Sequence, residues 1–196
     1  MVLDLVHNVA LLVALAVGLQ TISRRLNGRR LIFNLAAGLL FGAVGVAGMM
    51  TPMQFAPGII YDGRSIVLGL AGLFGGPAAA ALSAAICGAY RWHLGGAGAP
   101  VGVAVVFESA ALGVALHYLR RRDERWASWP LLWTFGLLIH LFMLAQQLHL
   151  PDGKGLEAVR RVGPSVLLFY PLGFLVIAQV FLDGERRRKA ESALAS

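Results

Sequence analysis

The side chains with the most chemical potential in this sequence are charged groups set in apolar surroundings. Arg64 and Arg91 bound the run YDGRSIVLGLAGLFGGPAAAALSAAICGAYRWHLGGAG, residues 61–98. A guanidinium is a planar fork that grips carboxylate or phosphate at two points. An ionisable group at or in hydrocarbon is costly and pairs with something. If the run folds back on itself, both forks face one compartment and can clamp a small anion between them. Asp62 lies beside the first arginine, and Tyr61, Tyr90, Trp92 and His93 flank the pair. The competing reading is that the arginines snorkel to headgroups, or pair with Asp62 and Glu108. Glu108 sits in the middle of the next apolar run, between Phe107 and Ser109. A carboxylate at that depth needs a partner or a proton. Pairing with an arginine is the expected arrangement; proton uptake on signalling and binding of a cationic ligand are the alternatives. His140, in a later apolar run, can sense protons or bond a ligand, although a lone histidine there is ordinarily an interhelical donor. Gln146, Gln147 and His149 are expected to meet water, and interfacial anchoring accounts for Tyr90 and Trp92.

Nothing else in the chain suggests catalysis. There is no metal-ligand spacing, no phosphate-cradling glycine loop before a helix, and no nucleophile beside a base. The chain is therefore read as neither an enzyme nor a holder of a metal or cofactor. The single cysteine, Cys87, rules out an intrachain disulfide and reads as a small packing residue.

These groups must be positioned by elements that live in lipid. Of 196 residues, 58% are hydrophobic and only 14% charged, and the mean hydropathy is +0.71. Soluble domains carry roughly a quarter charged residues, so this chain cannot cover its apolar surface with polar groups. The net charge of +7 does not indicate nucleic acid, because the charges cluster between apolar runs. No cleavable leader is expected: the first apolar run lacks a basic start and a small-residue cleavage site.

The pattern predicts an all-α polytopic bundle. Full spans are expected over about 3–23, 31–50, 100–119, 129–150 and 165–182, with a re-entrant helical hairpin over about 64–91. Gly38 and Gly42 give the second span a small-residue face for close helix contact. The segment 51–63 carries two prolines and reads as a loop, as does 151–164. Residues 65–75 rise about 16 Å as helix and residues 77–91 about 22 Å, each short of the roughly 30 Å hydrocarbon layer. The break at Gly75, Gly76 and Pro77 suits a turn, with Pro77 opening the second helix. The alternative is one kinked span of about 26 residues. Charge decides between them. A full span splits Lys and Arg nine inside to eight outside, whereas a hairpin leaves twelve of the seventeen on one face, in clusters at 24–30, 120–125 and 186–189. Basic loops stay cytoplasmic, so the N-terminus is expected outside and the C-terminus in the cytoplasm.

Residues 38–102 resemble the core of the LytS/YhcK-type five-transmembrane receptor domain, and the weaker likeness extends over about 5–185. The matching elements are APG at 56–58, DGR at 62–64, AGLFGGP at 71–77, YR at 90–91 and GGAG at 95–98. The resemblance implies a membrane sensor of bacterial histidine kinases and diguanylate cyclases, some of which respond to small carboxylates such as pyruvate. It implies that Arg64 and Arg91 are ligand-contacting candidates; Tyr61, Asp62, Tyr90, Glu108 and His140 are further candidates by their types and positions. Glu108 has no place in the family pattern. The short paired helices also resemble, more distantly, the substrate-binding subunits of energy-coupling-factor vitamin transporters.

The expected organisation is a transmembrane sensor domain over 1–184 and a cytoplasmic signalling-helix stub over 185–196. That stub would lead to an output domain lying outside this sequence. The domain would sit in the bacterial inner membrane, in contact with lipid, and act as a homodimer, since family outputs work as dimers. A transporter subunit and a purely structural membrane module are the other classes. The first needs solute flux and a partner ATPase; the second tolerates loss of both arginines.

Overall fold

The computed structural model describes the backbone of residues 2–26 and 29–194, with all side chains among them except those of residues 2–10, 12, 24, 30 and 192. The chain is helical nearly throughout. Helix α1 (Val2–Arg25) and α2 (Arg30–Met50) are followed by a small hairpin, β1 (Met53–Ala56) and β2 (Ile59–Tyr61). Then come α3 (Arg64–Leu70), a π-helical turn (Ala71–Gly75) and α4 (Gly76–Leu94). Helices α5 (Ala99–Arg122), α6 (Trp129–Gln147) and α7 (Lys154–Leu194) complete the bundle. Among the described residues, five helical runs are long and apolar enough to cross a bilayer: 31–50, 64–94, 99–122, 129–147 and 154–191. Helix α1 adds the shorter apolar stretch Val13–Ser23. Large side chains such as Leu31, Leu39, Phe107, Phe142, Phe169 and Val176 point outward and are exposed, as a lipid-facing surface requires.

The run 64–94 is helical but is not one straight span. Along α3 and the π turn, Gly69 and Gly72 lie against Gly113, and the Leu73 carbonyl meets His117 Nδ1 at 2.9 Å. These contacts follow α5 in the same direction. Along α4 the order reverses, from Gly76 at His117 through Gly88 at Phe107 to Arg91 at Gly102. The chain turns back at Gly76, whose φ of +71° suits glycine alone. The predicted reversal at Gly-Gly-Pro is therefore present, and Pro77 lies in the first turn of α4.

Depth differs from the sequence expectation. Both arms looked too short to reach the far face, yet Phe74 at the tip lies under the Arg120 guanidinium, 5.5 Å from the ring centre. The β-hairpin explains this, because it carries the start of α3 into the bundle mouth. The twelve residues from Arg64 to Gly75 then need to rise only about 18 Å. Every residue of α3 is buried, so neighbouring helices enclose its short, interrupted backbone as hydrocarbon demands. Helix α4, with 19 residues, runs the full height.

Helix α2 packs along α4 through its glycines. A methyl group added at Gly38, Gly42 or Gly45 would press on Leu82, Ile86 or Cys87 respectively, and Cys87 Sγ lies 3.6 Å from the Gly42 carbonyl. The expected small-residue face is thus the α2–α4 seam. Two loop expectations need correction. The segment 51–63 forms the antiparallel β-hairpin, turning at Gly58 with φ +77°. The segment 151–164 is mostly the start of α7, which passes through Pro164 and Pro171. The true turn is tighter, closed by Asp152 and Gly153 at φ of 59° and 68°.

The two ends of the bundle differ in kind. One gathers the α1–α2 loop, the hairpin tip, Arg120 and the charged end of α7. There Gln20, Ser23, Phe33, Phe74, Glu185 and Arg188 line one depression, and Arg120 pairs with Glu185. The basic clusters converge on this end, although the side chains of Arg24 and Arg30, and residues 27–28, lie outside the described set. The opposite end carries the β-hairpin, Arg64, Arg91 and the loop 95–98.

Candidate functional site

The mouth of the bundle is built on glycine. Gly58, at the β-turn, touches the backbone of Gly96 so closely that a Cβ on either would stand 2.6 Å or less from the other's Cα. The Gly98 amide donates to the Gly58 carbonyl at 3.2 Å. Arg91 ties the two loops together from below: Nη1 donates to the Gly95 carbonyl at 2.8 Å and Nη2 to the Gly58 carbonyl at 2.9 Å. Its shaft lies on Gly102, where a side chain would collide with Nε. Arg91 is 2% exposed. The APG and GGAG runs, forty residues apart in places, are thus two halves of one junction with Arg91 as its pin.

Arg64 begins α3 in the same mouth. Asp62 accepts from the Arg64 backbone amide at 2.9 Å and pairs with Nη1. Both residues are buried. Arg64 Nε is buried and has no hydrogen-bond partner. Among the described residues the buried charges of the mouth are two guanidiniums and one carboxylate, a positive balance to which Arg161, over the Phe55 ring, adds from the surface. Beside Arg64 lies a small, outward-opening recess between β2, α3, α5 and α6. Its polar walls are Tyr61, Asp62, Arg64, Ser65 and Gln147.

These walls are held from behind. The Tyr61 hydroxyl donates to Gln147 Oε1 at 3.1 Å, and burial pushes that hydroxyl up to about 12, with Arg64 opposing. It therefore stays a donor across the physiological range. Gln147 Nε2 donates to the Met143 carbonyl at 3.0 Å. Ser65 Oγ lies 3.0 Å from His140 Nε2, and His140 Nδ1 lies 2.6 Å from the Gly136 carbonyl, with Tyr170 edge-on at 5.1 Å.

The seven residues singled out from sequence therefore separate. Tyr61, Asp62 and Arg64 line the recess. Arg91 does not line it and lies behind Gly98 and Gly102, with both terminal nitrogens on backbone carbonyls, so the expected two-arginine clamp is not formed in the recess. His140 supports Ser65 from beneath as an interhelical hydrogen-bonding group. Tyr90 packs against the separate apolar cluster that contains Met49, Leu68 and Val106 and does not line the recess. The expected arginine partner of Glu108 is corrected: its Oε2 meets Gln146 Nε2 at 3.3 Å and Ser109 Oγ at 3.5 Å, lower on the α5–α6 seam. Arginine is unavailable because Asp62 and the loop carbonyls hold the two candidates. Gln147 was expected to meet water and is instead 5% exposed. Sequence reading did not place Ser65, Gln147 or Gly102 at the site, where all three line the recess. Gly98 and Gly102, four apart before an apolar run, were the available signal for a large side chain crossing α5.

Among the described residues no cluster of His, Cys, Asp and Glu could hold a metal ion. No curated protein and no solved structure matches the chain. A family model described as 5TMR of 5TMR-LYT matches residues 10–183.

Proposed function

The chain belongs to the 5TMR-LYT family, as a multi-pass membrane sensory receptor domain, and on that footing we propose that it binds a small carboxylate at Arg64 and signals through α7. One observation carries the proposal: Arg64 is buried at the wall of a recess, with Nη1 held by Asp62 and Nε unpaired. A carboxylate lying side-on would accept from Nε and Nη2 without displacing Asp62. The positive balance of the mouth favours an anion; the Tyr61 and Ser65 hydroxyls on the same wall are bonded to Gln147 and His140. Pyruvate and related acids are the ligands this chemistry suits. In this reading Arg91 is a positioning residue that pins the loops over the recess.

The route to an output follows the hairpin. Arg64 heads α3, and the π turn ends at Phe74. That ring meets Phe181 edge-on at 4.9 Å and lies under Arg120, which pairs with Glu185 on α7. Helix α7 continues through Gly184 to Leu194 without a break. A ligand that favours one position of α3 would shift α7 by as much as its affinity differs between the two positions. A cytoplasmic histidine kinase or diguanylate cyclase domain, paired in a homodimer, is the proposed receiver.

The test is titration of the protein in lipid nanodiscs with pyruvate. The variant is Arg64→Gln combined with Asp62→Asn, which removes both charges together and strands neither. Loss of a desolvated charge pair with the ligand should cost about 2–5 kcal/mol of binding. Equal affinity in the two proteins would refute the site.

A further inference from the structure

Glu108 stands apart from the paired carboxyl groups of the chain. Among the described residues, Asp62, Glu124, Asp152, Asp183 and Glu185 each pair with an arginine or a lysine, and Glu108 makes no such pair. It lies about 14 Å along α5 from Ala99. Phe107 beside it, and Phe142 one turn before Gln146 on α6, are both exposed and mark the seam as lipid-facing. The side-chain partners of Glu108 are Gln146 Nε2 at 3.3 Å and Ser109 Oγ at 3.5 Å, both on Oε2. Two buried oxygens are left over, Glu108 Oε1 and Gln146 Oε1, and neither has a hydrogen-bond partner. Both are acceptors, so neither can serve the other while the carboxyl is ionised. Turning the amide over changes nothing, because a carboxylate accepts at both oxygens and an amide presents one donor edge and one acceptor edge. No cation is at hand. Arg91 of α4 holds the loop carbonyls, Arg64 of α3 holds Asp62, and His140 of α6 meets Ser65 and the Gly136 carbonyl. Cys87 of α4 faces the Gly42 carbonyl, Tyr90 packs in the cluster around Val106, and His117 on α5 itself meets the Leu73 carbonyl. His149, beyond the end of α6, is exposed.

We infer that Glu108 and Gln146 form a proton-binding site: the Glu108 carboxyl carries a proton inside the membrane, donates it to Gln146 Oε1 and accepts from Gln146 Nε2. One proton then satisfies both stranded oxygens and closes a ring of two hydrogen bonds between acid and amide. It also removes the cost of an unpaired charge in hydrocarbon. The inference stands apart from the carboxylate reading of Arg64, although the two sites adjoin. Gln147, next to Gln146, accepts from Tyr61, and Val105, one turn nearer the mouth than Glu108, lines the recess. Loss of the proton would set acceptor against acceptor and loosen α5 from α6 where both carry walls of the recess.

The experiment is infrared spectroscopy of the whole chain in phosphatidylcholine nanodiscs at neutral pH, with and without an isotope label on the glutamate carboxyl carbon. The unmodified protein should show a protonated-carboxyl C=O band that moves with the label and is lost in Glu108→Gln. That variant should fold as the parent does, because an amide facing an amide closes the same ring. Gln146→Leu keeps the acid and removes its partner, so the band should persist and shift to higher frequency, as the carbonyl of an unbonded acid does. Absence of a label-sensitive band in the unmodified protein overturns the inference; Glu108 is then an ionised carboxylate, served by water or by a second copy of the chain. A band that survives in Glu108→Gln overturns it by placing the proton on another residue. A band unmoved in Gln146→Leu overturns it too, since the amide is then not the acceptor.

Discussion

Taking away the Arg91 side chain leaves the half-buried Gly95 carbonyl without its donor and the Gly58 carbonyl with the Gly98 amide alone. A stranded buried polar group costs about 1–3 kcal/mol. Arg91→Ala should therefore lower stability by about 1–3 kcal/mol, read by thermal unfolding in detergent. Arg91→Lys should recover only part, because a point ammonium cannot reproduce a fork that spans two carbonyls. Arg64→Ala acts differently. It strands Asp62 in a buried position, at a cost of about 3–5 kcal/mol, and adding Asp62→Asn should return much of that. If Asp62→Asn gives no recovery, the ion pair is not what the mouth depends on. At this scale the sequence was a good guide to residue type and a poor one to partner. Two arginines bounding an apolar run announced that both lie at one end of the bundle. That Arg64 would pair with Asp62 was the competing reading of the sequence; that Arg91 would take two loop carbonyls depended on the paths of 56–58 and 95–98, which no local pattern encodes.

Among the elements, the helical hairpin is the part on which the proposed signalling route rests. Its descending arm lies backbone to backbone on α5: a Cβ on Gly113 would stand 2.2 Å from the Gly69 carbonyl oxygen. Backbone cannot yield as a flexible side chain can, so Gly113→Ala should push α3 away from α5 and cost about 1–3 kcal/mol, as overpacking does. The tip is coupled by contacts instead of close packing. Phe74→Ala removes the edge-on contact with Phe181 and the cation–π contact with Arg120. Together these are worth about 1–2 kcal/mol. The expected outcome is retained ligand affinity with a lost response of α7, followed by spin labels placed on α7 and on the α1–α2 loop. A normal response in Phe74→Ala would remove the tip from the route. The glycine pair and proline made the reversal legible in sequence. Its depth was not, because a β-hairpin assigned as loop sinks the start of α3. The start of α7 was missed for a related reason: Pro164 reads as a boundary in water but is tolerated inside a packed membrane helix.

For the molecule as a whole, composition alone established a polytopic bundle, since 14% charged residues cannot solvate 196. The convergence of the basic clusters at one end, with Arg64 and Arg91 at the other, matches the side-by-side count made from loops. The bias of basic loops predicts that the basic end faces the cytoplasm. It is checked with single cysteines in a Cys87→Ser background. An impermeant thiol reagent on intact cells should label Met53→Cys and spare Arg122→Cys, both exposed positions; the opposite pattern would invert the assignment and put the recess in the cytoplasm.

The account turns on one contact, a carboxylate against the free edge of Arg64. Solid-state NMR on the protein in lipid, with nitrogen-labelled arginine and carboxyl-labelled pyruvate, measures it directly. Dipolar transfer from the ligand carboxyl to the Arg64 Nε is expected, and it should vanish in the Arg64→Gln, Asp62→Asn protein. Transfer to no arginine, or to Arg91 with Arg64 silent, would contradict it.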